Sequence, residues 1–95
     1  MLNTFCLVGK LISKNIVETT NHQKNVTATF KVDRPFVNEE GLRIQDNFPI
    51  KFRRGLAEDI SENGEIGKNY AIKGRLTIED NTVTLIAEKI AMIGE

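Results

Sequence analysis

Apolar and polar residues alternate along most of this chain, with the period of two that is typical of half-buried β-strands. The clearest example is VTATFKVDR at 26–34, in which every second residue from Val26 to Val32 is apolar. Side chains leave a strand on alternate faces, so we expect these residues in the core and their neighbours outside. The same alternation predicts three further strands, at 47–54, 68–78 and 82–94, and places Tyr70, Ile72 and Leu76 on the inner face of the second of these.

A long, bent strand is predicted at the start of the chain. The segments LNTFCLVGKLI at 2–12 and KNIVETT at 14–20 are rich in apolar and β-branched residues. Gly9 lies within the first segment, and a glycine inside a strand often marks a bulge or a barrel corner. We therefore expect a single strand that continues beyond a bend at this glycine.

One short helix is predicted between the third and fourth strands. In GLAEDISENG at 55–64, Leu56 and Ile60 are one helical turn apart with acidic residues between them. Gly64 is a suitable residue to end the helix. The segments between elements are polar or rich in Asn, Pro and Gly, and predict turns at 21–25 and 79–81 and an exposed loop at 35–46.

The resulting order of elements is β-β-β-α-β-β, which predicts an all-β fold in a single domain over 1–95. Five strands with one short helix between strands 3 and 4 is the order of the OB-fold, a Greek-key barrel that binds oligonucleotides or oligosaccharides across its second and third strands. Another small α+β barrel or roll is the alternative. The bent first strand and the position of the helix favour the OB-fold.

The charge of the chain is zero overall but is divided unevenly along its length. Residues 1–54 contain nine Lys and Arg against five Asp and Glu, and residues 55–95 contain four against eight. A division of this kind can mark a basic binding face. Scatter of charges over a solvated surface is the alternative that charge alone leaves open.

The chain offers little material for catalysis or for metal binding. It has one cysteine and one histidine; Cys6 is expected to be buried in the middle of a core strand, and His22 lies in a predicted turn. We therefore expect neither an enzyme nor a zinc site, and no cofactor. No apolar run approaches the roughly 20 residues of a membrane helix, and a lone cysteine fits a cytoplasmic protein.

Basic residues recur at the outward positions of three predicted strands. Lys31 is on the second strand, Lys51 and Arg53 are on the third, and Lys73 and Arg75 are on the fourth. If strands two and three pair, the first three share one surface, where they can neutralise the phosphates of a nucleic acid. The alternative is that Lys and Arg are simply common outward residues on strands.

Several segments resemble bacterial single-stranded DNA-binding proteins, in the same order along nearly the whole chain. They are MLNTFCLVGKL at the start, ATF at 28–30, RPF at 34–36, PIKF followed by GLAEDI, and IGKNYAIKGRL before the last strand. The resemblance implies an OB-fold, assembly into dimers or tetramers, and binding by cations together with aromatic side chains on which bases stack.

Position by position, the resemblance implies that Arg34 and Phe36 contact DNA, with Phe36 stacking on a base. The family's other two stacking aromatics correspond to Asn47 and Arg53 here, while Phe48 is expected in the core. The family's long hairpin between the last two strands is reduced to EDN, and we expect no counterpart of the family's acidic tail after Glu95. We therefore expect weak to moderate, strongly salt-sensitive binding, unless arginines stack in place of the missing aromatics.

The expected function is binding of single-stranded DNA without strong sequence preference, in replication, recombination or repair. One alternative is a primosome-like accessory protein that binds DNA weakly and docks to other proteins; another is an OB-fold module that binds only a partner protein. The residues expected to contact DNA are Lys31, Arg34, Phe36, Asn47, Lys51, Arg53, Arg54, Lys73 and Arg75.

We also expect a homo-oligomer, because the first strand is apolar on both faces. One face would carry Phe5, Leu7 and Leu11, and the other Cys6, Val8 and Ile12. A small barrel also leaves strand edges that tend to be covered. The alternative is that barrel closure and the helix bury both faces.

Overall fold

Five strands and one helix form the computed structural model, which describes residues 2–18 and 24–94. The bounds are β1 Phe5–Glu18, β2 Lys24–Val37, β3 Arg43–Arg53, α1 Gly55–Asn63, β4 Asn69–Glu79 and β5 Thr82–Met92. His22 and most of the turn predicted at 21–25 lie outside the described residues.

The strands close into a barrel in the order β1-β2-β3-β5-β4. Neighbouring strands are antiparallel except β3 and β5, which run parallel and meet over a short stretch that places Ile50 opposite Leu85 and Lys51 opposite Ile86. With the helix between β3 and β4, this is the OB-fold. The fold class predicted from the order of elements is confirmed.

Strand β1 serves two sides of the barrel, and Gly9 lies at the corner. Residues 5–10 pair with β4 and residues 10–18 pair with β2. A Cβ atom on Gly9 would lie 2.9 Å from the backbone oxygen of Lys31 and 2.9 Å from Cγ2 of Val32. The predicted bend is confirmed as a change of partner one residue after Gly9, with a register shift between Leu11 and Ser13. The close approach of β2 leaves no room for a side chain at Gly9.

The core is built from the inward residues that the alternation predicts. The rings of Phe30 and Phe52 lie 6.1 Å apart, and Tyr70 meets Phe30 edge-on at 6.2 Å. The hydroxyl oxygen of Tyr70 accepts a hydrogen bond of 2.9 Å from the backbone N–H of Glu65, so this buried polar group is satisfied. The largest fully buried side chains are Phe30, Phe52, Leu11, Ile50, Ile72 and Val26.

The helix packs Ala57 and Ile60 against the barrel and ends at Gly64, as predicted. Lys14 of β1 stabilises this end: its ammonium donates to the carbonyls of Gly64 (2.8 Å) and Ser61 (3.2 Å), where the helix dipole is negative. No helix among the described residues is long and apolar enough to cross a membrane.

The exposed loop predicted at 35–46 is wrong over most of its length. Strand β2 continues to Val37 and β3 begins at Arg43, so the two form a long hairpin arm. The Asn38 side chain closes the short turn by accepting hydrogen bonds of 2.9 Å from the N–H groups of Glu40 and Leu42. Polar cross-strand pairs replace apolar alternation in this arm, which is why the hydrophobic pattern misses it.

Two residues expected in the core are exposed. Cys6 points outward, because the inward positions of β1 are taken by Phe5, Leu7 and Gly9. Leu76 is 41% exposed, because the register of β4 and β5 shifts near Gly74 and the hairpin end beyond it lacks core contacts. The tight turn predicted at 79–81 is confirmed: its two central residues, Asp80 and Asn81, have the positive φ of a two-residue hairpin turn.

Candidate nucleic-acid interface

The outer face of β2 and β3 brings together the cations predicted on these strands. In the β2–β3 register, Lys31 is opposite Asn47, Thr27 is opposite Lys51, and Asn25 is opposite Arg53. Lys31, Lys51 and Arg53 therefore share one face of the sheet, as the alternation requires. Asn47 and Lys51 are four residues apart on β3, which separates the Lys31 and Lys51 positions by about 14 Å along the strands.

Lys10 joins one end of this face. It is the cross-strand neighbour of both Lys31 and Asn69, because β1 changes partner at this residue. The two lysines line a cleft of about 400 Å³ that also includes Asp33 and Gln45. Like charges placed directly opposite each other repel, so this pair favours an anion between them. Sequence reasoning missed Lys10; its outward parity and its place next to Gly9 were the available signals.

Lys51 and Arg53 are held by an acid from another element. Nζ of Lys51 lies 2.7 Å from Oε1 of Glu79, and Nη2 of Arg53 lies 2.7 Å from Oε2 of the same carboxylate. The hydrogen bonds from these two cations lower the pKa of Glu79 to about 2. The contact joins β3 to the last residue of β4, and local sequence pattern does not reveal it.

The end of the β4–β5 hairpin lies opposite the outer face of β2 and β3. A cleft of about 290 Å³ separates them, with Thr27 and Lys51 on one side and Glu79, Asp80 and Thr82 on the other. An acidic hairpin end therefore faces the basic part of the candidate interface. The single-stranded DNA-binding proteins that the sequence segments resemble carry their long hairpin at this position, between the last two strands.

The hairpin arm carries a second ion pair and an exposed aromatic ring. Nε and Nη2 of Arg34 donate to the two carboxylate oxygens of Asp46 at 2.8 and 3.0 Å. This hydrogen-bonded pairing lowers the pKa of Asp46 and raises the pKa of Arg34. Phe36, on the same arm, is 77% exposed. Phe48 is partly buried against the core, as expected.

The other predicted cations lie apart from this face. Lys73 is the cross-strand neighbour of Cys6 and Lys89 on the outer face of β1, β4 and β5. Arg75 pairs with Glu88 at 3.4 Å. Arg54 is the single residue between β3 and the helix, and it is exposed. The structure thus groups Lys31, Asn47, Lys51 and Arg53, and separates Lys73 and Arg75 from them.

Within residues 2–18 and 24–94, no group of three or more His, Cys, Asp and Glu side chains is arranged to hold a metal ion.

The chain is similar in sequence to a curated protein of known class. It is 34% identical, over 77 residues, to the single-stranded DNA-binding protein of Caldanaerobacter subterraneus subsp. tengcongensis. The match covers 80% of this chain and 51% of the relative, so the chain spans about half the length of the protein it matches. No family model matches the chain. The resemblance drawn from the sequence segments is confirmed by this match.

Three solved structures share the fold. A small single-stranded DNA-binding protein from Streptomyces coelicolor superposes with a TM-score of 0.75 at 18% identity, covering 98% of this chain and 95% of the other. The dimeric N-terminal domain of PriB from Thermoanaerobacter tencongensis gives 0.72 at 24%, covering 98% of both chains. PriB from Ralstonia solanacearum gives 0.77 at 11%, covering 97% and 98%. At these identities the likeness establishes the barrel fold.

Proposed function

We propose that this chain, which is 34% identical over 77 residues to a bacterial single-stranded DNA-binding protein, binds single-stranded DNA along the outer face of β2 and β3, without strong sequence preference. The observation that carries the proposal is the β2–β3 register, which puts Lys31, Lys51 and Arg53 on one face. Cations in such a row bind phosphates and release counterions, whatever the bases are. The proposed role is that of a binding protein and not an enzyme, in the cytoplasm.

Phe36 is the proposed stacking platform. All six aromatic residues lie in the described part of the chain, and Phe36 is the one that is exposed. A base stacked on an aromatic ring contributes about 1–3 kcal/mol. With one platform, phosphate contacts must supply most of the affinity, so we expect binding of weak to moderate strength that falls steeply with salt.

A titration of fluorescent oligo-dT at several salt concentrations tests the proposal. We expect log K to fall with log salt by about 0.7 for each phosphate contact. Lys31→Ala should weaken binding and reduce this slope. Lys89→Ala removes an exposed lysine on the opposite outer face and serves as the matched control. Absence of binding at low salt, or equal losses in both variants, would contradict the proposal.

Primosome-like accessory activity is a second candidate, and the exposed end of the β4–β5 hairpin favours it. Leu76, Ile78 and Val83 are 41%, 64% and 58% exposed there, which is a surface a protein partner could cover. In this case DNA binding would be weak and docking to replication or recombination proteins would be the main activity. Tight binding of oligo-dT at physiological salt would favour the first candidate over this one.

We further propose that the chain assembles as a homo-oligomer through β1. Cys6 and Val8 are exposed on the outer face of this strand, and together with Ala71 and Ala91 they line a largely apolar cleft of about 560 Å³. Residues 5–9 pair along one edge only, with β4, in the described register. Light scattering should give a mass of at least twice 10.7 kDa. A monomer at all concentrations would contradict this assembly.

A further inference from the structure

We propose that Glu79 is an internal competitor of DNA: its carboxylate occupies Lys51 and Arg53 in the free protein, and a DNA phosphate must displace it. This inference rests on the proposed binding of single-stranded DNA to the outer face of β2 and β3. It concerns what limits that binding, because the acid lies within the surface that would receive the DNA.

Lys51 and Arg53 form a site for an anion, and the carboxylate of Glu79 occupies that site. Each carboxylate oxygen of Glu79 accepts from a different cation, Lys51 on one side and Arg53 on the other, at 2.7 Å. A phosphate presents the same feature, two charged oxygens that accept from neighbouring cations. The carboxylate and a phosphate therefore compete for the same donors.

The carboxylate reaches the cations from outside the β2–β3 hairpin. Glu79 ends β4, just before the Asp80–Asn81 turn, and is 28 and 26 residues along the chain from the two cations that it holds. The hairpin end forms the far side of the cleft over Thr27 and Lys51. DNA that follows the outer face of β2 and β3 must therefore pass this acidic end or move it.

The contact is accessible to solvent, so exchange is feasible. The side chains of Lys51, Arg53 and Glu79 are 41%, 42% and 29% exposed. Exposed ion pairs contribute little free energy, because water and salt compete with them. A phosphate can therefore replace the carboxylate without opening the barrel.

At the other half of the interface, Asp33 lines the cleft of Lys10 and Lys31, but its carboxylate accepts a hydrogen bond of 2.6 Å from the Gln45 amide and pairs with neither lysine. Over the ranges 2–18 and 24–94, neither Lys10 nor Lys31 has a carboxylate within ion-pair distance. The interface thus has an open part at Lys10 and Lys31 and a part closed by Glu79. DNA is expected to bind the open part first and to displace the carboxylate second.

The substitution Glu79→Gln tests the inference, with Glu88→Gln as the matched control. Each removes one carboxylate from an ion pair and changes the net charge by the same amount, but Glu88 pairs with Arg75 away from the β2–β3 face. We expect E79Q to bind oligo-dT about 3- to 30-fold more tightly at low salt, since two weak ion pairs no longer oppose binding. Its salt slope should steepen by about 0.7 to 1.4, and E88Q should stay within about twofold of the wild type.

A second measurement separates competition from a general electrostatic effect. In a K51A/R53A background, adding E79Q should give no gain in affinity, because the competed cations are absent. Circular dichroism and thermal melting of each variant establish that it is folded. Light scattering establishes that each keeps the mass of the wild type, because Glu88 lines the cleft through which we propose that the chain assembles.

The outcomes separate this inference from the proposed function. If the wild type binds with a salt slope but E79Q binds no better than E88Q, or binds more weakly than the wild type, competition is overturned and the proposed function stands. If only E79Q binds, competition is supported in a strong form. If none of the folded proteins binds, the proposed function and this inference both fail.

Discussion

At the scale of single residues, the candidate interface is defined by which cations have a carboxylate beside them. Lys51 and Arg53 share Glu79, and Arg34 has Asp46. Lys31 lies opposite Lys10 and, within the described residues, has no carboxylate at ion-pair distance, although Asp33 lines the same cleft. The outward parity of these cations follows from the sequence alone, because alternation is local. The carboxylates that pair with them do not follow from local alternation, because Asp46 is placed by the register of the β2–β3 hairpin and Glu79 by closure of the barrel.

The Glu79 contact predicts a pH dependence of stability. The pKa of Glu79 is lowered from 4.5 to about 2 in the folded protein, so its contribution to stability is present above the unfolded pKa and is lost as pH falls through the folded one. The wild type should therefore be more stable than E79Q at pH 7, and the difference should vanish between about pH 4.5 and pH 2.

Urea unfolding of both proteins at several pH values measures this difference. Asp46 also titrates at low pH, but it is present in both proteins and its contribution cancels. A difference that stays constant down to pH 2, or that favours E79Q at pH 7, would show that the Glu79 contact is not formed in solution.

Phe36 should matter for binding and not for folding. Its ring is 77% exposed, so Phe36→Ala should leave the melting temperature nearly unchanged and should lose about 1–3 kcal/mol of oligo-dT affinity. Leu42→Ala is the control, since Leu42 is another exposed apolar side chain on the same arm (59%) but has no ring for a base. Equal losses in the two variants would rule out a stacking role for the ring.

At the scale of elements, the long bent β1 organises the barrel. It joins β4 before the corner and β2 after it, and this makes Lys10 a neighbour of both strands. A glycine within an apolar strand was sufficient to predict the bend. It was not sufficient to predict which residues the bend brings together, because that depends on the register of two distant strands.

We expect that any side chain at position 9 destabilises the fold. Gly9→Ala would put a methyl group 2.9 Å from the backbone of Lys31 and against Val32, and should destabilise the fold by about 1–3 kcal/mol through overpacking. Gly55→Ala is the control, because a Cβ there meets nothing within 4 Å. Denaturant unfolding measures the stability of both variants. A Gly9→Ala protein as stable as the control would show that β2 does not approach residue 9 this closely.

The β2–β3 arm shows where pattern reasoning fails at this scale. Pro35, Asn38 and Gly41 suggest a loop, but only residues 38–42 form the turn, and Pro35 lies within β2. Cross-strand polar contacts support them, with Arg34 on Asp46 and the Gln45 amide donating to Asp33 at 2.6 Å. An arm that lies beyond the core needs no apolar face, so hydrophobic alternation cannot detect it.

At the scale of the whole molecule, barrel closure brings the two differently charged parts of the chain together. Residues 1–54 are net basic and residues 55–95 are net acidic. The β4–β5 hairpin places Glu79 and Asp80, from the acidic part, across a cleft from the basic β3. Acidic residues from the second part of the chain therefore partly neutralise the basic residues of β3 on the same surface of the folded protein. The order of elements was enough to predict the barrel, but this neutralisation depends on its closure.

The central claim is that DNA lies on the outer face of β2 and β3, and amide chemical-shift mapping of the labelled protein with oligo-dT tests it most directly. The account predicts the largest shifts on Thr27–Lys31 and Asn47–Arg53, with smaller shifts around Cys6 and Lys73 on the other outer face. Shifts that concentrate around Cys6 and Lys73, or an unchanged spectrum at low salt, would contradict it.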